Sequence, residues 1–144
     1  GYLAEAYFER GRARQKLNQT AEAITDFQQA AQRSRDAVGA RAQFMLGEIG
    51  FQQKHFEDAI KDFQRVMFRY GEEPVPPDVK NWQARAGFEA GRCCEVMVES
   101  ASSPAERSVR IADAKKFYRY VVETHPDNEL AAEAKKRLDA LAQL

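Results

Sequence analysis

One motif occurs three times along the chain and constrains its fold more than any other feature. In each copy a glycine is followed by an alanine, then by an aromatic residue, and finally by an alanine or valine. The copies are Gly11, Ala23, Phe27 and Ala30; Gly47, Ala59, Phe63 and Val66; and Gly91, Ala114, Tyr118 and Val121. Repetition on this scale indicates one helical unit that was copied and stacked, because a single unit cannot bury its apolar face alone.

Each copy contains two segments in which apolar and small residues recur at three- and four-residue steps, the pattern of an amphipathic helix. A short polar turn separates the two segments, so each copy predicts a helix–turn–helix pair. The predicted pairs cover residues 2–35, 38–71 and 78–124, and a last helix over 128–143 caps the third pair. We expect the downstream alanine to lie opposite the glycine, with the aromatic ring filling the space between pairs.

The third copy is longer than the others. Its glycine and alanine are 23 residues apart, against 12 in the first two copies, so both of its helices should gain about five residues, or roughly 8 Å. Ser103-Pro104-Ala105-Glu106 is a capping box that marks the start of the second long helix. Thr20 and Asp127 are predicted to cap the helices that follow them.

Composition narrows the classes of partner. The chain has 144 residues, enough for one continuous core, with 22 basic and 22 acidic residues. This balance gives no electrostatic footprint for nucleic acid, and no apolar run is long enough for membrane insertion. Cys93 and Cys94 are adjacent, a spacing too short for a helical disulfide, so we predict buried free thiols. The chain opens inside a helical pattern without Met, and we expect it to be a fragment of a longer protein.

The repeated motif resembles the tetratricopeptide repeat, a 34-residue helix–turn–helix unit. Positions that match the family are Tyr7, Gly11, Ala23, Phe27 and Ala30; Leu46, Gly47, Ala59 and Phe63; and Gly91, Ala114, Tyr118 and Pro126. Arg14 and Gly50 depart from it, since the family prefers a large aromatic there. The resemblance implies an all-α, right-handed superhelical stack of three hairpins plus a C-terminal capping helix, forming a single domain over 1–144 with the third hairpin elongated.

A finer resemblance concerns the style of the repeats. The segments FQRVMFRYGEE and YRYVVETHPDNELAAEAKKRL look like those of bacterial cell-envelope members, of the Tol–Pal-associated and outer-membrane assembly lipoprotein type. This likeness favours the bacterial periplasm or cell envelope, while a cytoplasmic location stays open.

Offsets counted from each glycine place three series of residues on one helical face. The series are Glu5, Arg41 and Arg85; Phe8, Phe44 and Phe88; and Arg12, Glu48 and Arg92. The resemblance implies that this face lines a concave surface. We predict that all of these residues except Glu5 contact a partner, the phenylalanines through apolar side chains and the arginines through carboxylates. The alternative is that the phenylalanines belong partly to the core. Gln15, Gln52 and Glu95 would extend the groove, and Trp82 is expected to pack on the second hairpin.

The predicted function is a non-catalytic module that binds a protein or peptide in this groove, as a scaffold within a bacterial envelope protein. The alternative is a structural module that forms a homo-oligomer through its terminal or elongated hairpin. No nucleophile–base pair or phosphate loop indicates an enzyme or a cofactor site, and His55 and His125 are too far apart in the repeat for a metal site. Chaperone-binding members of the tetratricopeptide repeat family bind a carboxylate with Lys and Asn. This chain has Phe8 and Arg12 at the corresponding positions of its first copy, which argues against a role as a heat-shock cochaperone.

Overall fold

The computed structural model describes residues 2–144, which form seven α-helices and no strand. The helices are α1 (Tyr2–Lys16), α2 (Thr20–Arg33), α3 (Ala37–Gln52), α4 (Phe56–Arg69), α5 (Pro77–Glu99), α6 (Pro104–Thr124) and α7 (Leu130–Leu141). The all-α prediction is therefore confirmed. Helices α5 and α6 have 23 and 21 residues, against 14 to 16 in α1–α4, so the additional residues of the third copy lie in this pair.

The predicted capping side chain is found at the start of α6 and not at the other helix starts that the sequence indicated. The hydroxyl of Ser103 accepts a hydrogen bond from the Glu106 amide at 3.1 Å, which is one half of a capping box. The Glu106 carboxylate accepts from the amide and the hydroxyl of Ser102, at 3.0 and 2.7 Å, rather than from the Ser103 amide. At the last helix the cap is Asn128, whose side chain accepts from the Leu130 amide at 2.9 Å, rather than the predicted Asp127. Thr20 was also wrong as a cap, because it is already the first residue of α2.

Each helix packs on the next one along the chain, and the odd-numbered helices also pack on one another. Helix α1 contacts α3, α3 contacts α5, and α5 contacts α7. The even-numbered helices α4 and α6 also meet, through side chains: Tyr120 packs on Phe68 with ring centroids 5.7 Å apart, and Arg110 forms an ion pair with Glu57 at 2.7 Å. The odd-numbered helices therefore approach one another through their backbones, whereas α4 and α6 meet only through long side chains.

The motif glycines allow an aromatic ring to approach the helix backbone, and this corrects one detail of the prediction. A Cβ at Gly11 would lie 2.9 Å from the ring of Phe27, and one at Gly47 would lie 2.5 Å from Phe63. The aromatic residue, not the alanine, thus lies opposite the glycine. The alanine position instead faces Gly50, whose added Cβ would meet the Ala59 Cβ at 3.2 Å. The small residue at Gly50 is explained by this second close approach.

Two apolar clusters form the core. One lies between α1, α2 and α3, and the other extends from α3 to α7. Within both, each copy of the motif contributes one aromatic pair with the tilted or edge geometry that rings prefer. The pairs are Phe8–Phe27, Phe44–Phe63 and Phe88–Tyr118, with ring centroids 5.6, 5.3 and 5.4 Å apart. In the part of the chain that the structure describes, no helix is long and apolar enough to cross a membrane.

The two cysteines are unpaired and buried in α5, as predicted. Burial raises the pKa of both the Cys93 and the Cys94 thiol to about 12. Since the thiolate is the reactive species, we expect a thiol reagent at about pH 8 to label the folded protein at least about 100-fold more slowly than the denatured chain. Absorbance of the released reagent measures both rates, and equal rates would show that α5 opens readily.

Candidate partner-binding face

The residues predicted to bind a partner lie on α1, α3 and α5, but two of the phenylalanines are not accessible. The side chains of Phe8 and Phe44 are 3% and 1% exposed, because they pack on Phe27 and Phe63 of the same copy. Their prediction as partner contacts was wrong, and the alternative that they belong to the core describes them better. Phe88 is half-buried and packs on Tyr118.

Arginines cover these buried rings. The guanidinium of Arg41 lies 4.7 Å from the ring centroid of Phe8 and 5.7 Å from that of Trp82. The guanidinium of Arg85 lies 4.8 Å from Phe44 and 4.5 Å from Trp82. All four distances fall in the range of favourable cation–π contacts. The phenylalanines therefore act as platforms that position two guanidiniums.

The ring of Trp82 lies between the two arginine–phenylalanine pairs and contacts both guanidiniums. It packs on Phe44 with ring centroids 5.2 Å apart, which confirms the expected contact with the second hairpin. The contact with both guanidiniums is a role that the motif offsets did not predict, because Trp82 lies outside the three series. The sequence does contain a signal for this role: Trp82 lies three residues before Arg85, and residues at this spacing share a helix face. We call Arg12, Arg41, Trp82 and Arg85 the arginine–tryptophan surface.

The arginines of this surface have carboxylates in their surroundings but are not held in ion pairs by the described chain. Arg12, Arg41 and Arg85 form no ion pair within residues 2–144. The buried Nε of Arg41 also lacks a hydrogen-bond partner there. Burial lowers the pKa of Arg41, and the positive charges of Arg12 and Arg85 lower it further, against an opposing effect of Glu9. The surface therefore combines positive charge with unused hydrogen-bond donors.

Glu48 and Arg92 are the other residues predicted to contact a partner, and they differ in exposure and in their partners within the protein. Glu48 is half-buried, and burial raises the pKa of its carboxyl while Arg85 opposes this shift. Arg92 is exposed, but its guanidinium binds Glu89 at 2.9 Å and lies 5.4 Å from the ring of Phe51. Arg92 thus has an internal partner, unlike Arg41 and Arg85.

Glu95 does not extend the groove as predicted, because its carboxylate has two partners inside the protein. The hydroxyl of Tyr118 donates to it at 2.6 Å, and the guanidinium of Arg137 on α7 forms an ion pair with it. The Tyr118 ring is fully buried, and burial together with this hydrogen bond raises its pKa. Glu95 therefore links α7 to the third helix pair, α5 and α6.

A recess of about 370 Å³ lies beside Arg41, between α1, α3 and the start of α5. Its floor includes Phe8, Val38 and Trp82, and its rim carries the carboxylates of Glu5, Glu9 and Asp78. An apolar floor with a few polar groups at its edge is typical of binding sites. The recess can accept an apolar side chain next to a group that the arginines bind.

Comparison with protein families gives a match to the first half of the chain. Residues 8–74 match the sequence profile of a family described as tetratricopeptide repeat, and no curated protein matches the chain. Repeats of this family generally mediate protein–protein interactions and are typically non-catalytic. The matched region covers the first two copies of the motif, including Arg12 and Arg41. The match supports the resemblance of this part of the chain to the tetratricopeptide repeat family.

Proposed function

We propose that the face formed by α1, α3 and α5 binds a segment of a partner protein through acidic side chains of that segment. The stacked guanidiniums of Arg41 and Arg85 carry this proposal, since they have no carboxylate partner within the described residues. Stacking fixes the plane of a guanidinium while leaving N–H groups at its edge, which match the two oxygens of a carboxylate.

The energetics favour such a contact. Because the rings of Phe8, Phe44 and Trp82 already hold the two arginines, little side-chain entropy is lost when a ligand binds. Hydrogen bonds to charged groups contribute about 1.5–3 kcal/mol each, and an apolar side chain in the neighbouring recess would add hydrophobic burial. We therefore expect the bound segment to combine acidic with apolar residues.

We propose further that the chain forms a single domain, in which three hairpins and a capping helix build a right-handed superhelix. The close backbone approach of the odd-numbered helices supports a stack that curves around α1, α3, α5 and α7. A bacterial envelope context is part of the proposal and depends on the style of the segments at residues 63–73 and 118–138.

Self-assembly is the second candidate function, and it has its own observation. Tyr2 and Leu3 at the start of α1 are 91% and 51% exposed, and with Leu17 they give the first helix an apolar outer side. A second copy of the chain could cover these residues without using the arginine–tryptophan surface. The two candidates therefore predict that different variants lose association.

A displayed library of random peptides tests the proposal. We expect peptides selected by the protein to be enriched in Asp and Glu, and the double variant Arg41→Gln/Arg85→Gln to retain about 100-fold fewer of them. The matched control is Arg107→Gln/Arg119→Gln, which removes two exposed charges from α6. Phe44→Ala is unsuitable as a test, since it would remove a core side chain.

Two outcomes would contradict the proposal. Selected peptides without acidic residues would show that the arginines are not the binding groups. A double variant that dissociates from an oligomer into a monomer would assign the surface to self-assembly instead. Circular dichroism must show the same helix content in all variants for either comparison to hold.

A further inference from the structure

A second cluster of arginines lies on the opposite side of the molecule, in a cleft between α2 and α4. The cleft has a volume of about 450 Å³, and Arg35, Arg65 and Arg69 line it. Because α2 and α4 do not contact each other within the described residues, the cleft is open to solvent between them. The arginine–tryptophan surface does not contribute to it.

The floor of the cleft is a fixed polar network. The hydroxyl of Tyr70 lies 3.0 Å from the Ala31 carbonyl oxygen and 3.3 Å from the side-chain oxygen of Gln43. The amide of Gln43 in turn donates to the Asp62 carboxylate at 2.9 Å. Tyr70 and Gln43 are each 7% exposed, so these groups are held by the core. The floor is therefore preorganised without any ligand.

The walls of the cleft carry more positive than negative charge. Arg65 binds Asp62 at 2.8 Å, and Arg35 donates to the Arg69 carbonyl oxygen at 3.4 Å. Three guanidiniums and one carboxylate thus leave two positive charges uncompensated among the lining residues. All three arginines line the same cleft as Tyr70, and each of them opposes the rise that burial causes in the pKa of Tyr70.

The position of the arginines explains how three positive charges can lie close together without a bound anion. Arg69 is the last residue of α4, and Arg35 follows the end of α2. Cations are stabilised by the helix dipole at such C-terminal ends. Each guanidinium has five N–H donors, of which the observed contacts use few. Donors on three arginines remain free to converge on one ligand.

We propose that this cleft binds a phosphomonoester dianion. A phosphate group carries about −1.5 to −2 charges at pH 7 and three acceptor oxygens, which match the two uncompensated charges and the converging guanidiniums. A carboxylate has one charge and two oxygens, and it would satisfy the cluster less well. The volume of the cleft leaves room for the group to which the phosphate is attached, either a phosphorylated side chain or a small molecule.

Titration at constant ionic strength tests this proposal, with the arginine Nε–H resonances followed by NMR spectroscopy. We expect inorganic phosphate to bind at least about 10-fold more tightly than acetate, and Arg69→Gln to weaken phosphate binding about 5-fold or more. Arg35→Gln should have a similar effect. The matched control Arg107→Gln, also an exposed arginine, should change binding less than about 2-fold.

A peptide that contains phosphoserine distinguishes the two sources of the ligand. Tighter binding of this peptide than of inorganic phosphate would identify a phosphorylated partner, whereas equal or weaker binding would identify a free phosphate compound. The proposal is overturned if acetate binds as tightly as phosphate, or if Arg107→Gln weakens binding as much as Arg69→Gln. Neither result bears on the partner-binding face, because Arg41 and Arg85 are unchanged in these variants.

Discussion

Three alanine substitutions in the same helix are expected to have very different effects on stability. We expect Gly39→Ala to destabilise the protein by about 3 kcal/mol or more, Gly47→Ala by about 1–3 kcal/mol, and Gly50→Ala by less than about 1 kcal/mol. All three residues lie in α3, so the gain in helix propensity from alanine is the same in each case. Differences between the variants therefore report packing alone.

The order follows from what each new methyl group would meet. At Gly39 it would overlap the backbone carbonyl of Ser34, whose carbon would be 2.8 Å away, and backbone there cannot move without breaking the link between α2 and α3. At Gly47 it would meet the ring of Phe63 at 2.5 Å, which can tilt at some cost. At Gly50 the neighbour is the Ala59 methyl at 3.2 Å, a contact that a small shift relieves.

Urea unfolding followed by circular dichroism measures these changes in the free energy of unfolding. Gly50→Ala is the control for the other two, because it adds the same methyl group to the same helix. Equal losses in all three variants would contradict the packing described for α3. A stable Gly39→Ala variant would show that the connection around Ser34 is not as rigid as its hydrogen bond to the Gly39 amide, 3.2 Å long, implies.

The second large effect is expected at a buried carboxylate in the first pair. Asp26 is 1% exposed, and Arg10 binds it through Nε at 3.1 Å and through a terminal nitrogen at 2.8 Å. Arg14 adds a third donor at 3.0 Å. Removing the partners of a buried charge costs about 3–5 kcal/mol, and the partial exposure of both arginines places the Arg10→Ala/Arg14→Ala variant at the lower end of that range.

A further substitution separates charge from packing in this prediction. If the loss comes from the unpaired carboxylate, Asp26→Asn in the double-variant background should recover about 1 kcal/mol or more, since it removes the buried charge but keeps the shape. Thermal unfolding of the four proteins, including Asp26→Asn alone, measures the coupling. If Asp26→Asn instead lowers the stability of the double variant further, the loss comes from side-chain packing and not from the unpaired charge.

The sequence predicted the helices well because their signals are local. The three motif copies, the prolines after Gly71 and the capping box at Ser103 act through neighbouring residues, and the structure follows them. Arg14 shows where local signals end. The tetratricopeptide pattern prefers a large aromatic residue at this position. An arginine is present here because it binds the buried Asp26 on the next helix, and spacing along the chain does not reveal that contact.

The helices that carry the proposed binding face were easier to predict from the sequence than the side chains that form it. Offsets from the glycines placed Arg41 and Arg85 on the correct helices, but they assigned the partner contacts equally to Phe8 and Phe44. Whether a ring lines a groove or fills a core depends on the helix packed behind it, which the offsets do not contain. Trp82 was missed as a site residue for the same reason, since its neighbours Arg41 and Phe44 come from another helix.

Fluorescence of Trp82 tests the central proposal most directly. The sequence contains one tryptophan, and its ring contacts both Arg41 and Arg85. In a titration with a peptide selected from the library, we expect a saturable change in Trp82 emission. The dissociation constant should rise at least about 10-fold in Arg41→Gln/Arg85→Gln and less than about 2-fold in Arg107→Gln/Arg119→Gln. Binding that leaves Trp82 emission unchanged, or that keeps its affinity in the Arg41→Gln/Arg85→Gln variant, would contradict the assignment of this face as the partner site.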